Sequence, residues 1–476
     1  MSLTWPDKPS LSDRGEAGVN VPARTLRRLA AAYGTPLYVY DLDVARAAHA
    51  ELAGSLPSGS RLFYSLKANP FPPLVGALLD AGARAEVCSR GELDTALAAG
   101  ADARSCLYTG PAKTEAELAH ALARGVRLFS VDSPTDLARL GLCARRAGAR
   151  AKAILRLNPS AYPRGAGLAM GGAPSQFGAD VAWVCDRPEL FGADGVELVG
   201  YHVYVGTNVD DTDRLMDWFE LAVDAVRQAQ EALRLRVEIV DLGGGFGHPY
   251  ARPGTRPAWP GLAGRLAGLL ARLPGAGSGG PVAAFESGRY LAGGCGTLVL
   301  GVQDVKRSRD TRFVIADGGV NVLGGMQGLR RVPPIMAEPL PLPSAVPAPG
   351  GLDRGGEAVL AGPLCTALDL LNQRARLPGA APGGLLAVPN VGAYGLTAAL
   401  VAFLGRDAPA EVAVDADGVR AALRLETAYR PLPAAPHGVN GDFTGEQAAG
   451  EQAAGEQVTG EQAAGERATG ERAETR

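Results

Sequence analysis

Lys67 lies near the end of LFYSLKAN, a largely apolar run, in a chain that carries only five lysines (Lys8, Lys67, Lys113, Lys152 and Lys306). An amine at an apolar strand end has its charged form disfavoured by desolvation, which lowers its pKa and frees a neutral nucleophile for an aldehyde. Such a lysine can equally snorkel to water or pair with Glu86. The run DLGGGFG places Gly243, Gly244 and Gly245 after a strand and before a helix, where backbone without Cβ atoms lets N–H groups approach a phosphate. Three glycines in a chain with 64 can also be a plain turn. Glu286, in FESGRY, can pair with a protonated pyridine nitrogen and keep such a ring an electron sink, or it can form a surface ion pair with Arg289. Lysine, glycine cradle and acid are together the set that pyridoxal phosphate requires, provided one scaffold gathers them.

The elements that could do so recur from residue 62. Apolar, β-rich runs at 62–69, 84–89, 106–110, 128–133, 152–158, 197–206, 237–245 and 282–288 alternate with amphipathic patterns such as GELDTALAAG and TDRLMDWFELAVDAVRQAQEAL. Strands alternating with helices imply parallel βα units, and eight units over this length predict a closed (β/α)8 TIM-type barrel, with an open doubly wound sheet as the competing arrangement. Active sites of such barrels lie at the strand C-termini. There the chain places Lys67, Glu86, Arg156, His202 with Tyr204, the three glycines, and Glu286 with Arg289. After residue 290 the cadence changes to β segments (TLVLGVQDVK, TRFVIADGG, EAVLAGPL, GLLAVPNVG, EVAVDADG), which predict a C-terminal all-β, sandwich-like domain. The expected divisions are a lead-in over 1–44 whose strand near residue 38 joins the β domain, a barrel over 45–290, a β domain over 291–430 and a GEQAA-repeat tail over 431–476. That tail has too little apolar bulk to offset ordering entropy and is expected to be disordered. Gly- and Pro-rich residues 160–178 read as a mobile loop at the barrel mouth.

At 476 residues with 46% hydrophobic content the chain can bury more than one core. Its net charge of −3 is spread without blocks, so neither nucleic acid nor an anionic membrane is an expected partner. No basic leader and no run of about 18 apolar residues is present, which reads as cytoplasmic. Six scattered cysteines without CxxC spacing argue against a zinc site or a disulfide scaffold, and no metal is expected.

YSLKANP (64–70), DLGGGFG (241–247), FESGRY (285–290), AGPLCTALDLL (361–371) and VGAYG (391–395) closely resemble, in this order, motifs of the fold-type-III decarboxylases of diaminopimelate, ornithine and arginine. The resemblance implies pyridoxal 5'-phosphate bound covalently to Lys67, with its phosphate held by Gly243, Gly244, Gly245, Arg289, Tyr394 and Thr207. Glu286 would face the ring nitrogen, and Glu86, Arg156, His202 and Tyr204 would complete the cofactor site. Cys365 would come from the second subunit of a homodimer to reprotonate the product; as a bare residue it could also be a buried structural thiol. Departures from the family concern the substrate. Tyr204 stands where relatives stack a His, Thr366 where an acid recognises a distal ammonium, Gln176 where a Lys is frequent, and Gly325 where an Arg grips a distal carboxylate. Arg330 and Arg331 follow closely, and Asp369 shares the cysteine motif. DGGVNVLGGMQGLRRVPPI (317–335) and the CTALDLL form resemble a subgroup from specialised-metabolite and siderophore pathways. That likeness implies an amino acid substrate conjugated or tethered at its distal end, with an acyl carrier protein among possible partners. A free diamino acid decarboxylase, a racemase and a non-catalytic homologue are the alternatives.

Overall fold

The computed structural model describes residues 19–159, 174–275, 280–324, 336–342 and 357–431. Arg330, residues 160–173 of the mouth loop and the repeat tail from residue 432 lie outside them. The chain opens with α1 (Ala23–Tyr33), β1 (Leu37–Asp41) and α2 (Leu42–Gly54). The barrel units follow as β2 (Arg61–Ser65), α3 (Pro72–Asp80), β3 (Arg84–Val87), α4 (Arg90–Ala98), β4 (Leu107–Tyr108), α5 (Glu115–Ala123), β5 (Leu128–Val131), α6 (Pro134–Arg146) and β6 (Ala151–Asn158). A short β7 (Ala179–Asp180), α7 (Val181–Asp186), β8 (Val196–Val203), α8 (Thr212–Leu233), β9 (Ile239–Asp241), α9 (Leu262–Leu270), β10 (Val282–Ser287) and α10 (Arg289–Ala292) complete them.

Eight parallel strands close the barrel, because β10 pairs with β2 and β5 with β6, while β7 adds only a two-residue edge to β6. Local chemistry sets the helix starts. Thr114 and Glu117 form a reciprocal capping box at α5, and Ser89, Ser133 and Asp211 accept N–H groups at α4, α6 and α8. Among the described residues no helix is long and apolar enough to cross a membrane.

The strands carry a two-layer message. Phe63, Leu107, Leu128, Ile154, Val199, Ile239 and Ala284 form an apolar cluster separate from the outer core, one residue from each of seven barrel strands. Side chains two residues apart on a strand share a face. Above six of these seven therefore stand Ser65, Thr109, Ser130, Arg156, Asp241 and Glu286, so an apolar plug supports a polar floor at the C-terminal mouth.

The second sheet is mixed and nine-stranded, made of β1 with β11 (Gly296–Ser308), β12 (Thr311–Ala316), β13 (Leu340–Pro341), β14 (Glu357–Ala361), β15 (Leu370–Arg376), β16 (Leu385–Val388), β17 (Ala410–Asp415) and β18 (Gly418–Arg424). The first strand sits centrally, antiparallel to β11 and parallel to β17. β11 pairs with β1 and β16 through its first half and with β12 through its second, with a register shift between Val302 and Asp304. Helix α1 covers this sheet by packing Leu26 and Leu29 with Val39, Val299 and Val412.

Inside that sheet Tyr40 donates a 2.8 Å hydrogen bond to Glu411, whose burial pushes its carboxyl up to about 7 even so. The folded state then binds more protons than the unfolded one between the ordinary value of 4.5 and about 7, so stability falls as pH rises through that window. In Glu411→Gln the melting temperature should decline less steeply across it, as differential scanning calorimetry at stepped pH would record.

Candidate active site

Lys67 lies in a single 3-10 turn, Leu66–Ala68, that follows β2. Its Nζ stands 3.6 Å from Glu86 Oε2, and its side chain keeps 41% of its surface accessible against 1% for Glu86. Glu86 is held from behind: Thr109 Oγ1 and Cys88 Sγ both donate to its Oε1. Burial opposes charge on Glu86, but Lys67 and the hydrogen bonds from Ser65, Thr109 and Cys88 outweigh it and lower its pKa. The lysine itself departs from the expectation drawn from its apolar run. Enclosure pulls its ammonium down, yet Glu86, Cys88, Glu286 and Tyr394 together hold it well above the ordinary lysine value. Carboxylates converging from other strands decide the sign, so the cofactor-free amine is protonated.

Glu286, at the end of β10, is 2% exposed, and its carboxyl is raised well above the ordinary value by burial and by the charges of Glu86 and Asp241. Burial also lifts Asp241 to about 7, although Gly243 donates a 2.8 Å hydrogen bond to its Oδ1. Arg156 is buried on β6, where its guanidinium lies 4.6 Å from the Phe177 ring centre. His202 is not at the mouth surface but in the floor, with Nδ1 2.8 Å from Ser130 Oγ and Nε2 3.4 Å from Glu286 Oε1. Tyr204 presents its ring 5.8 Å from Lys67 Nζ, an aromatic face at the level where a planar cofactor would lie.

The glycine run makes the opposite wall. A Cβ on Gly244 would stand 2.3 Å from the Glu286 carbonyl oxygen, and one on Gly243, whose φ is 66°, would stand 2.7 Å from the Tyr204 ring. No helix backs this loop directly, since the next one, α9, starts at Leu262; the cradle is glycine backbone without a helix terminus behind it. The Gly243 N–H is spent on Asp241, leaving the loop beyond it to face a phosphate. Arg289 lies between two aromatic rings, 4.9 Å from Tyr394 and 5.7 Å from Tyr250. Tyr394 adopts a left-handed φ of 55° and donates its N–H to Ala68 O at 2.7 Å, which ties the second sheet's loop to the lysine turn.

Lys67, Tyr204, Thr207, Gly245, Glu286, Arg289 and Tyr394 line one recess, together with Ser65, Phe246, Ser287 and Gly288. Buried Glu286 Oε1, Ser287 Oγ and Arg289 Nε have no hydrogen-bond partner among the described residues, which is the donor and acceptor set a ring nitrogen and a phosphate would satisfy. The residues fit pyridoxal phosphate. Gly244→Ala should cost about 1–3 kcal/mol by overpacking and weaken cofactor binding, measurable by chemical denaturation and by titration with the cofactor.

Sequence reasoning did not single out Ser130, Thr109, Asp241 or Ser287. For the first three the available signal was a polar residue two positions beyond an inward apolar one on the same strand; Ser287 follows Phe285 of the outer core and gave no such signal. Ser89, which closes the second run, is the α4 cap and not a wall of the recess.

The substrate-side residues lie elsewhere. Cys365 is exposed on the Gly362–Asp369 connection between β14 and β15 and does not line the Lys67 recess of its own chain. Thr366 is half-buried, and its hydroxyl accepts from Leu368 N at 3.3 Å. Asp369 is 2% exposed, with Oδ1 accepting from Val320 N at 2.8 Å and Oδ2 from Leu364 N at 2.7 Å, so its buried carboxylate shapes the cysteine loop. Gln176 is exposed.

Residues 43–293, more than half of the chain, match the family described as the pyridoxal binding domain of pyridoxal-dependent decarboxylases. Among characterised proteins the chain is 29% identical to the L-glutamyl-[BtrI acyl-carrier protein] decarboxylase of Niallia circulans, over 83% of this chain and 92% of that relative. It is 32% identical to the diaminopimelate decarboxylase of Methanothermobacter thermautotrophicus, over 84% of this chain and 91% of the relative. The diaminopimelate decarboxylase of Helicobacter pylori, solved with L-lysine, shares the fold with a TM-score of 0.72 at 24% identity, over 83% of this chain and 95% of that one. With a closed barrel, a second mixed sheet and a lysine-centred recess at the barrel mouth, the chain belongs to the fold-type-III pyridoxal-phosphate-dependent amino acid decarboxylases.

Proposed function

We infer that this decarboxylase acts on an α-amino acid whose distal end is conjugated, with a carrier-protein thioester as the leading form, within a specialised biosynthetic pathway of the cytoplasm. The observation that carries the reading is the cysteine loop: Thr366 is neutral and the Asp369 carboxylate is buried and bonded to two backbone N–H groups, so the loop presents no exposed acid to a distal ammonium. The Niallia circulans relative, whose named substrate is carried on an acyl-carrier protein, supports it.

When bound, pyridoxal phosphate supplies the electron sink for the pair left by departing CO2. Lys67 Nζ would be the covalent anchor for its aldehyde carbon, Glu286 would hold the ring nitrogen, and Arg289, Thr207, Tyr394 and the Gly244–Gly245 backbone would hold the phosphate, the Gly243 N–H being spent on Asp241. Tyr204, which lines the recess beside Lys67, would shield the ring from water. Cys365 of a second copy holds on Sγ the proton that replaces the lost carboxylate. A homodimer with shared sites agrees with the exposure of Cys365 and, on nearby loops, of Leu368 (83%), Leu404 (53%), Leu400 (46%) and Phe403 (44%), apolar surface that a partner would cover.

The test is to incubate purified holoenzyme with free diaminopimelate, ornithine, lysine and glutamate, and with glutamyl-loaded carrier protein, and to follow the mass loss of CO2. Turnover of the carrier-bound substrate with little turnover of the free acids is expected. Efficient turnover of a free diamino acid would overturn the reading.

A further inference from the structure

The Glu286 carboxylate that lines the recess also lies against the barrel floor. Its Oε1 is buried and lies 3.4 Å from His202 Nε2, and neither atom has a hydrogen-bond partner among the described residues, so each is the nearest available partner of the other. The other imidazole nitrogen, Nδ1, lies 2.8 Å from Ser130 Oγ, and Ser130 is fully buried. Ser130 on β5, His202 on β8 and Glu286 on β10 thus make a line through the barrel floor to the recess. Asp241 on β9 closes the group, since its carboxylate, His202 and Glu286 bring one atom each within 4.8 Å of one another.

We propose that Ser130 and His202 are positioning residues that hold the Glu286 carboxylate in the orientation needed to grip the cofactor's ring nitrogen. The proposal rests on the assignment of Glu286 to that nitrogen. The imidazole is 1% exposed, and burial, Arg156, Lys67 and Lys113 all disfavour its cation, so it carries a single N–H. When the Ser130 hydroxyl donates to Nδ1, that N–H belongs to Nε2, 3.4 Å from Glu286 Oε1, where a small shift completes the hydrogen bond. A neutral donor orients the carboxylate without cancelling its charge, as an outer hydrogen bond orients a metal-bound ligand. An imidazolium there would instead compete with the ring nitrogen. The remaining charges around Glu286 come from Glu86 on β3, Asp241 on β9, Arg156 on β6 and Lys67 after β2, and none of them makes a hydrogen bond to Oε1.

The experiment compares two ligands: pyridoxal phosphate and its carbocyclic analogue in which the ring nitrogen is replaced by CH. Dissociation constants of both are measured on the wild type and on His202→Phe, His202→Gln and Ser130→Ala. The wild type should prefer the natural cofactor. In His202→Phe that preference should shrink by at least about tenfold, with the analogue bound as before, because only the nitrogen contact has been loosened. His202→Gln keeps a neutral N–H and should restore most of the preference, and Ser130→Ala should fall between. If the variants weaken both ligands equally, or keep the full preference, the proposal is overturned and His202 merely packs the floor. If the wild type itself binds both ligands alike, the failure lies in the assignment of Glu286.

Discussion

Lys67→Ala is expected to yield a folded protein without the visible absorption of bound cofactor, from which borohydride fixes no cofactor on the chain, and to lower decarboxylation by at least the roughly 10²–10⁴-fold contributed by a positioned catalytic group. The reason is chemical, because no other lysine among the described residues lines the recess. The same site predicts how loading depends on pH. Only a neutral amine attacks an aldehyde, and the carboxylates around Lys67 hold its pKa above the ordinary value of 10.5. Below that pKa the neutral fraction rises about tenfold per pH unit, so covalent loading of the cofactor-free protein should quicken as pH increases. Glu86→Gln removes the nearest negative charge, lowers the lysine pKa and should speed loading at neutral pH, read by stopped-flow absorption. Unchanged loading would mean that Glu86 does not control the amine.

Cys365→Ala should keep the cofactor spectrum while losing about 10²–10⁴-fold in kcat, the range for removal of a general acid. Its pairing with Lys67→Ala is more informative. If each site combines Lys67 of one copy with Cys365 of another, dissociating and remixing equal amounts of the two inactive proteins makes half of the dimers mixed, each with one intact site. About a quarter of wild-type activity should then return, as two-fold symmetry requires. Were both residues to serve a site within one chain, mixing would restore nothing.

Much of the barrel was readable because parallel strands buried on both faces are written as apolar runs. The helical pattern over 212–233 coincides with α8, and all eight strand candidates overlap a barrel strand. Reading failed where a strand has a solvated face. β15 (LLNQRAR) and β18 (GVRAALR) carry arginines on exposed positions and resemble turns or helix ends. In the site, several residues at strand ends could be identified by type, whereas Ser130, inside an apolar run, and Asp241, just before the glycine run, gain meaning only when the barrel closes. The Lys67 charge state was misjudged for the same reason: its neighbours along the chain are apolar, but Glu86 and Glu286, which decide it, arrive from β3 and β10.

The central place of β1 has a consequence for biosynthesis. Its hydrogen-bonding edges wait for residues 296–299 on one side and 410–414 on the other. At the usual ribosomal pace of about 5–20 residues per second, the earliest strand emerges and then stays unzipped for roughly tens of seconds until the last-made ribbon arrives. Nascent chains stalled before residue 410 should therefore expose this LYVYD segment to chaperones or proteases, whereas a chain released past Arg424 can seal it.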